Sequence, residues 1–124
     1  MRMWWLVPVL ALSACVSTVL PVTDGRIATR SQFVATVGDM TLANSDTVIQ
    51  VGRHWKFRGT TKGVPIEGEW DFRDGFWCRK VTKPEPTAVD CQVWSVRGDY
   101  VTVTRDRGLG ETLRFKILRP GYPA

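Results

Sequence analysis

The stretch Ile66-Glu67-Gly68-Glu69-Trp70-Asp71 places carboxylates at every second position. In an extended strand this spacing sets all three on one face, about 7 Å apart along the chain. Paired carboxylates can divide the acid and base roles of glycoside hydrolysis. The same spacing suits a solvated ladder in which each carboxylate faces a cation on the next strand, and that is the reading adopted. His54, the single histidine, follows Gly52-Arg53. No serine or cysteine nucleophile is placed beside it, so it reads as a surface residue. Two thiols, Cys78 and Cys91, with one histidine lack zinc-type spacing, and neither metal nor cofactor is expected. Trp77 and Arg79 alternate onto one side of a strand. An outward tryptophan beside an arginine is a typical contact pair for a protein or glycan partner; the other reading has the helix or the N-terminal tether packed on Trp77. With Arg53 they form the candidate binding set.

The third cysteine raises a different chemistry. Met1-Arg2-Met3 precedes the apolar run "WWLVPVLALSA", the layout of a secretory signal peptide. Leu12-Ser13-Ala14-Cys15 resembles the lipobox of bacterial lipoproteins. The resemblance implies cleavage after residue 14 and acylation of Cys15. Each buried CH₂ of an acyl chain adds about 0.8 kcal/mol of membrane affinity, so two or three chains anchor stably. An uncleaved transmembrane anchor is the alternative, but Pro8 interrupts the apolar stretch and Pro21 ends it. The expected location is therefore the bacterial cell envelope, lipid-anchored to the inner or outer membrane and facing the periplasm. With Cys15 assigned to lipid, Cys78 and Cys91 remain in an oxidising compartment, where a disulfide is the default. Closing such a loop contributes roughly 3 kcal/mol.

Removal of residues 1–14 takes away Arg2 and leaves 16 of the 17 basic residues against 12 acidic ones. The charges are interspersed, without the basic cluster that nucleic-acid binding needs. The expected organisation is a signal peptide (1–14), a lipidated tether (15–30), one domain (31–119) and a short tail (120–124).

Ser31–Gly38 reads as a short helix capped by Ser31, with Phe33, Val34 and Val37 on one face. Eight strands follow, at 40–43, 47–51, 55–60, 64–72, 76–81, 91–96, 100–105 and 112–118. They are short, rich in Val, Thr, Trp and Phe, and punctuated by Gly and Asp. A two-residue turn at Lys62-Gly63 sets Lys56 against Glu69, Arg58 against Glu67 and Trp55 against Trp70. A three-residue loop at Arg73-Asp74-Gly75 then sets Phe72 against Phe76, Trp70 against Cys78 and Glu69 against Arg79. That register sends Trp55, Phe57, Trp70, Phe72 and Phe76 to the core, turns Trp77 and Arg79 outward, and leaves room for the Phe57 ring at Gly68. A turn at Gly98-Asp99 sends Trp94, Val96, Val101 and Val103 inward. Cys91 then points out while Cys78 points in, a conflict that needs a bulge or a reorienting loop. On the last strand Leu113, Phe115 and Ile117 alternate inward. Eight antiparallel strands with one apolar face each suit an all-β fold, a small meander barrel, closed or half-open and lipocalin-like; a two-sheet sandwich is the alternative.

The run from Ile66 to Leu118 resembles a family of small exported alphaproteobacterial proteins. They share a G-x-W-x-F-x-D-G-x-x-C-R hairpin and a later C-Q segment, here Gly68, Trp70, Phe72, Asp74, Gly75, Cys78, Arg79, Cys91 and Gln92, with Trp94 following. The resemblance covers residues 31–118 and implies no particular activity. More distantly, a lipidated β-barrel with one disulfide is similar in architecture to envelope inhibitors of lysozyme and metalloproteases. Three functions are expected: an envelope-anchored, non-enzymatic module for a protein or glycan partner; an inhibitor acting through the loop 106–111; and a carrier of a small lipophilic ligand with Trp55, Trp70 and Trp94 lining its cavity.

Overall fold

A computed structural model describes residues 18–118. The signal segment 1–14, Cys15 with its lipobox, and the tail 120–124 lie outside the described residues. No helix among the described residues is long and apolar enough to cross a membrane.

The chain forms a closed eight-stranded antiparallel barrel with one extra strand and one short helix. The extra strand β1 (Asp24–Arg26) precedes helix α1 (Arg30–Val37). The barrel strands are β2 (Thr41–Ala43), β3 (Thr47–Val51), β4 (Lys56–Thr61), β5 (Val64–Arg73), β6 (Phe76–Lys83), β7 (Asp90–Arg97), β8 (Tyr100–Thr104) and β9 (Thr112–Leu118). Each strand pairs with its neighbours in sequence, and β9 closes the ring on β2. Closure gives every barrel strand a hydrogen-bonded neighbour on each side, which a two-sheet sandwich would not. The meander is therefore a barrel, and the sandwich is set aside.

Strand β1 falls inside the segment expected to be tether. β6 pairs with β7 only through Asp90, Cys91 and Gln92, and β1 takes the same edge higher up, with Asp24, Gly25 and Arg26 opposite Arg97, Val96 and Ser95. Ile27 is then fully buried. The helix starts one residue earlier than expected, and its cap is Thr29 rather than Ser31. The Thr29 hydroxyl accepts from Gln32 N (3.2 Å), and Gln32 Oε1 accepts from Thr29 N (3.3 Å), a capping box that satisfies two orphan donors at once.

The β4–β5 hairpin has the expected register, with Lys56 opposite Glu69, Arg58 opposite Glu67 and Thr61 opposite Val64. The β7–β8 register is also as expected. The β5–β6 hairpin differs by one residue. Its turn has two residues, Asp74 (φ 53°) and Gly75 (φ 81°), and Arg73 faces Phe76 while Phe72 faces Trp77. Left-handed conformations at both positions match the right-handed twist of the strands, and Asp-Gly is a favoured pair for such a turn. A one-residue slip exchanges the two faces of a strand. Trp77 and Arg79 therefore point into the barrel, and Cys78 points out. Cys78 now lies directly opposite Cys91, at disulfide distance. The orientation conflict between the cysteines disappears without any bulge.

The same slip moves other side chains. Phe76 lies outside, between the guanidinium groups of Arg26 and Arg107, each 5.0 Å from its ring centre. Lys80 replaces Arg79 in the surface ladder, so Glu69 sits between Lys56 Nζ (2.8 Å) and Lys80 Nζ (3.7 Å). Trp55 also leaves the core. Its φ of 65° breaks the chain out of the strand just before β4, and it is 41 % exposed. Its ring carries the Arg30 guanidinium at 3.2 Å from the centroid.

Candidate functional site

The barrel interior divides into two halves. At one end α1 lies across the opening and drives Phe33, which is fully buried, into an aromatic cluster. Its ring centre is 5.0 Å from those of Trp70 and Trp94, 5.6 Å from that of Phe72 and 5.8 Å from that of Trp77. Such pairs add about 0.5–1.5 kcal/mol each beyond simple area burial. On β5, Gly68 makes room for the Phe57 ring, because a Cβ there would overlap that ring and the Lys80 carbonyl oxygen.

The other half holds a partly open chamber of about 160 Å³. Phe57, Trp77, Trp94 and Phe115 supply its aromatic lining, and Ile49, Ile66, Val81, Val103 and Leu113 its aliphatic walls. Four polar side chains complete one sector: Arg79, Gln92 and Arg105, with Trp77 at the boundary between the two halves. Thr47 and Thr61, hydrogen-bonded to each other at 2.8 Å, lie across the chamber on β3 and β4. Strand alternation explains each placement. Trp77, Arg79 and Val81 share the inner face of β6; Val101 and Val103 on β8 lead to Arg105 just beyond it.

The polar sector is only partly self-satisfied. Trp94 Nε1 donates to Gln92 Oε1 (3.1 Å), Gln92 Nε2 donates to Asp90 Oδ2 (2.8 Å), and Asp90 Oδ1 accepts from Asp106 N (3.0 Å). Both oxygens of Asp90 are thus engaged. Neither Arg79 nor Arg105 makes an ion pair among the described residues. Burial, and next the like charge of Arg105, lower the pKa of the Arg79 guanidinium from its usual value; Asp90 acts in the opposite direction. Trp77, 2 % exposed, has an indole N–H without a hydrogen-bond partner among the described residues, and Arg105 Nε is in the same condition. By contrast, Trp70 Nε1 donates to the carbonyls of Gly52 (3.1 Å) and Lys56 (3.2 Å). Unpaired buried donors are uncommon and call for an explanation at each site.

Of the residues singled out from sequence, Trp77 and Arg79 come together, but inside the barrel instead of on its surface. Arg53 is not with them. It lies beside the helix C-terminus and binds Asp39, Nε to Oδ2 at 2.7 Å. Among the three tryptophans expected around a cavity, Trp94 lines the chamber, Trp70 belongs to the packed half and Trp55 is outside. Arg105, Asp90 and Gln92 were not foreseen as site residues, although strand alternation carried past Val103 would have sent Arg105 inward. Glu67 and Glu69 face lysines on the exterior, with Glu67 3.7 Å from Lys83 Nζ. Hydrogen bonding to Lys56 is the main reason the Glu69 pKa is lowered. These carboxylates form the ladder, not an acid–base pair. A wider groove of about 480 Å³ runs past Arg58 and Glu67, but neither of the unpartnered buried side-chain donors found among the described residues lines it. Comparison with known proteins gives no family model, no curated protein and no solved structure that matches the chain.

Proposed function

We propose that this chain is a non-enzymatic binding module of the bacterial cell envelope, tethered through acylated Cys15, that takes a small ligand in the open half of its barrel. The observation that carries the reading is the contrast within one interior: close-packed rings under α1, and beyond them a chamber of about 160 Å³ with unpartnered donors. Concave, mostly apolar sites with a few convergent polar groups are the usual form of ligand pockets. This replaces surface contact through Trp77 with interior contact, and it brings the carrier reading ahead of the protein- or glycan-partner reading.

Native mass spectrometry of protein extracted from membranes tests both parts. The expected species begins at Cys15, carries acyl mass and releases a small retained compound on denaturation. A chain that begins at Met1 with no acyl mass removes the tether. Chamber occupancy is tested separately by tryptophan fluorescence with small apolar compounds, in the wild type and in Ile66→Trp, which fills the chamber. Loss of the response in Ile66→Trp supports interior binding, and an unchanged response contradicts it.

A second reading, inhibition of a lysozyme or protease through the loop 106–111, is favoured by Leu109, which is 87 % exposed near the end of that loop. Inhibition assays with Leu109→Asp address it.

A further inference from the structure

The chamber's chemistry narrows its ligand. We infer that it receives a small organic monoanion, a carboxylate on an apolar body about the size of one aromatic ring, with Arg79 and Arg105 facing the carboxylate. This inference rests on the interior-binding reading above and specifies the ligand class.

Size is the first argument. The chamber's volume of about 160 Å³ lies well below the roughly 300–1,000 Å³ of sites for drug-sized ligands. It is close to the engineered apolar cavity of about 150 Å³ that takes up benzene. Long acyl chains and oligosaccharides do not fit, but a single ring or a short branched chain does. The aromatic lining of Phe57, Trp77, Trp94 and Phe115 suits a flat apolar body.

Charge is the second argument. The charged groups lining the polar sector are Arg79 and Arg105, with Asp90 behind them, bonded to Gln92 and acting on Arg79. Two guanidinium charges against one carboxylate leave an excess of one positive charge in a partly desolvated place. Asp90 already accepts from Gln92 Nε2 and Asp106 N and makes no ion pair with either arginine among the described residues. One ligand carboxylate would neutralise the excess. Guanidinium groups present planar, paired donors that match a carboxylate's two oxygens.

Donor satisfaction is the third and independent argument. Trp77 Nε1 is buried and unpartnered among the described residues, while its neighbours Trp70 and Trp94 are both bonded. An indole N–H can only donate, so an acceptor is the missing chemistry. A cation or an apolar molecule would leave it unsatisfied.

The test uses three probes of nearly equal shape: benzoate, benzamide and benzamidinium. Their binding to the processed protein is measured by calorimetry and tryptophan fluorescence. Benzoate should bind about tenfold to a hundredfold more tightly than benzamide, the range for a charge-assisted hydrogen-bonded contact. Benzamidinium should not bind. Arg79→Met and Arg105→Met, each checked for native circular dichroism, should each remove most of the preference for benzoate. If either variant does not fold, the other and the wild-type series still decide the matter. Equal binding of benzoate and benzamide overturns the anion inference and leaves the interior site standing. Failure of all three probes overturns the inference and the interior site together.

Discussion

The two halves of this barrel are built from the same strands and the same residue types, yet they differ in how their polar atoms are treated. Under α1, the indole of Trp70 is bonded twice, and the Phe33 ring fills the space between strands. Beyond Trp77, two arginines that make no ion pair line the chamber, and Arg105 Nε and the Trp77 indole N–H have no acceptor among the described residues. A protein interior tolerates polar groups when they are paired and is destabilised when they are not. The first half is therefore organised for stability. The second gives up some stability for groups that a ligand can satisfy. Trp77 belongs to both, with one neighbour in the helix-covered cluster (Phe33, 5.8 Å) and another in the chamber wall (Trp94, 4.8 Å).

This comparison makes predictions of opposite sign. The largest effect belongs to the packed half. Phe33→Ala removes the ring that closes the barrel end and should destabilise the protein by about 3–5 kcal/mol in chemical denaturation. A loss below 1 kcal/mol would mean that α1 is not part of the cooperative core. Reduction of the Cys78–Cys91 link, or Cys78→Ala with Cys91→Ala, should come next. With a separation of 13 residues, the chain-entropy estimate is about 3 kcal/mol, read as a lower denaturation midpoint. Arg79→Met should act in the other direction. Replacing a partly buried charge that makes no ion pair with an apolar chain of similar length removes its desolvation cost and should stabilise the ligand-free protein by about 1 kcal/mol. If Arg79 is instead a structural element, the variant will be less stable.

The smallest effect belongs to the exterior ladder. The Glu69 pKa is lowered below its ordinary 4.5 by the hydrogen bond and charge of Lys56, with Lys80 assisting. A lowered carboxylate pKa stabilises the fold at pH values above the unfolded pKa, and that contribution fades as pH falls through the folded value. Stability curves of wild type and Glu69→Gln should therefore differ slightly near neutrality and converge in acid. Because the carboxylate is exposed, salt should shrink the difference.

How much of the fold the residues disclose has a physical origin. The β4–β5 register was legible because only one alignment sets Lys56 and Arg58 against Glu69 and Glu67. At β5–β6 the residue pattern is degenerate. Phe76 and Trp77 are adjacent aromatics, and Arg79 and Lys80 are adjacent cations, so a slip by one still gives an aromatic pair and a charge pair. The deciding signal was the Asp74-Gly75 turn, together with the cysteines. Only the two-residue turn lets Cys78 meet Cys91 on one face. Strand β1 was not legible, because Asp24-Gly25-Arg26 has little strand propensity and pairs only because β7 offers an unfilled edge. The chamber's polar sector was hidden for the same reason as the register, since Trp77 and Arg79 both depended on that one residue of slip.

The most direct test of the division between the halves is the indole N–H spectrum of ¹⁵N-labelled protein during benzoate titration. The account predicts that the Trp77 Nε1–H resonance shifts strongly as it gains an acceptor. The Trp70 resonance, already bonded to two carbonyls, should move little, and that of Trp55, outside the barrel, should not move. A titration in which Trp55 responds and Trp77 stays fixed would place the ligand on the surface and contradict the chamber.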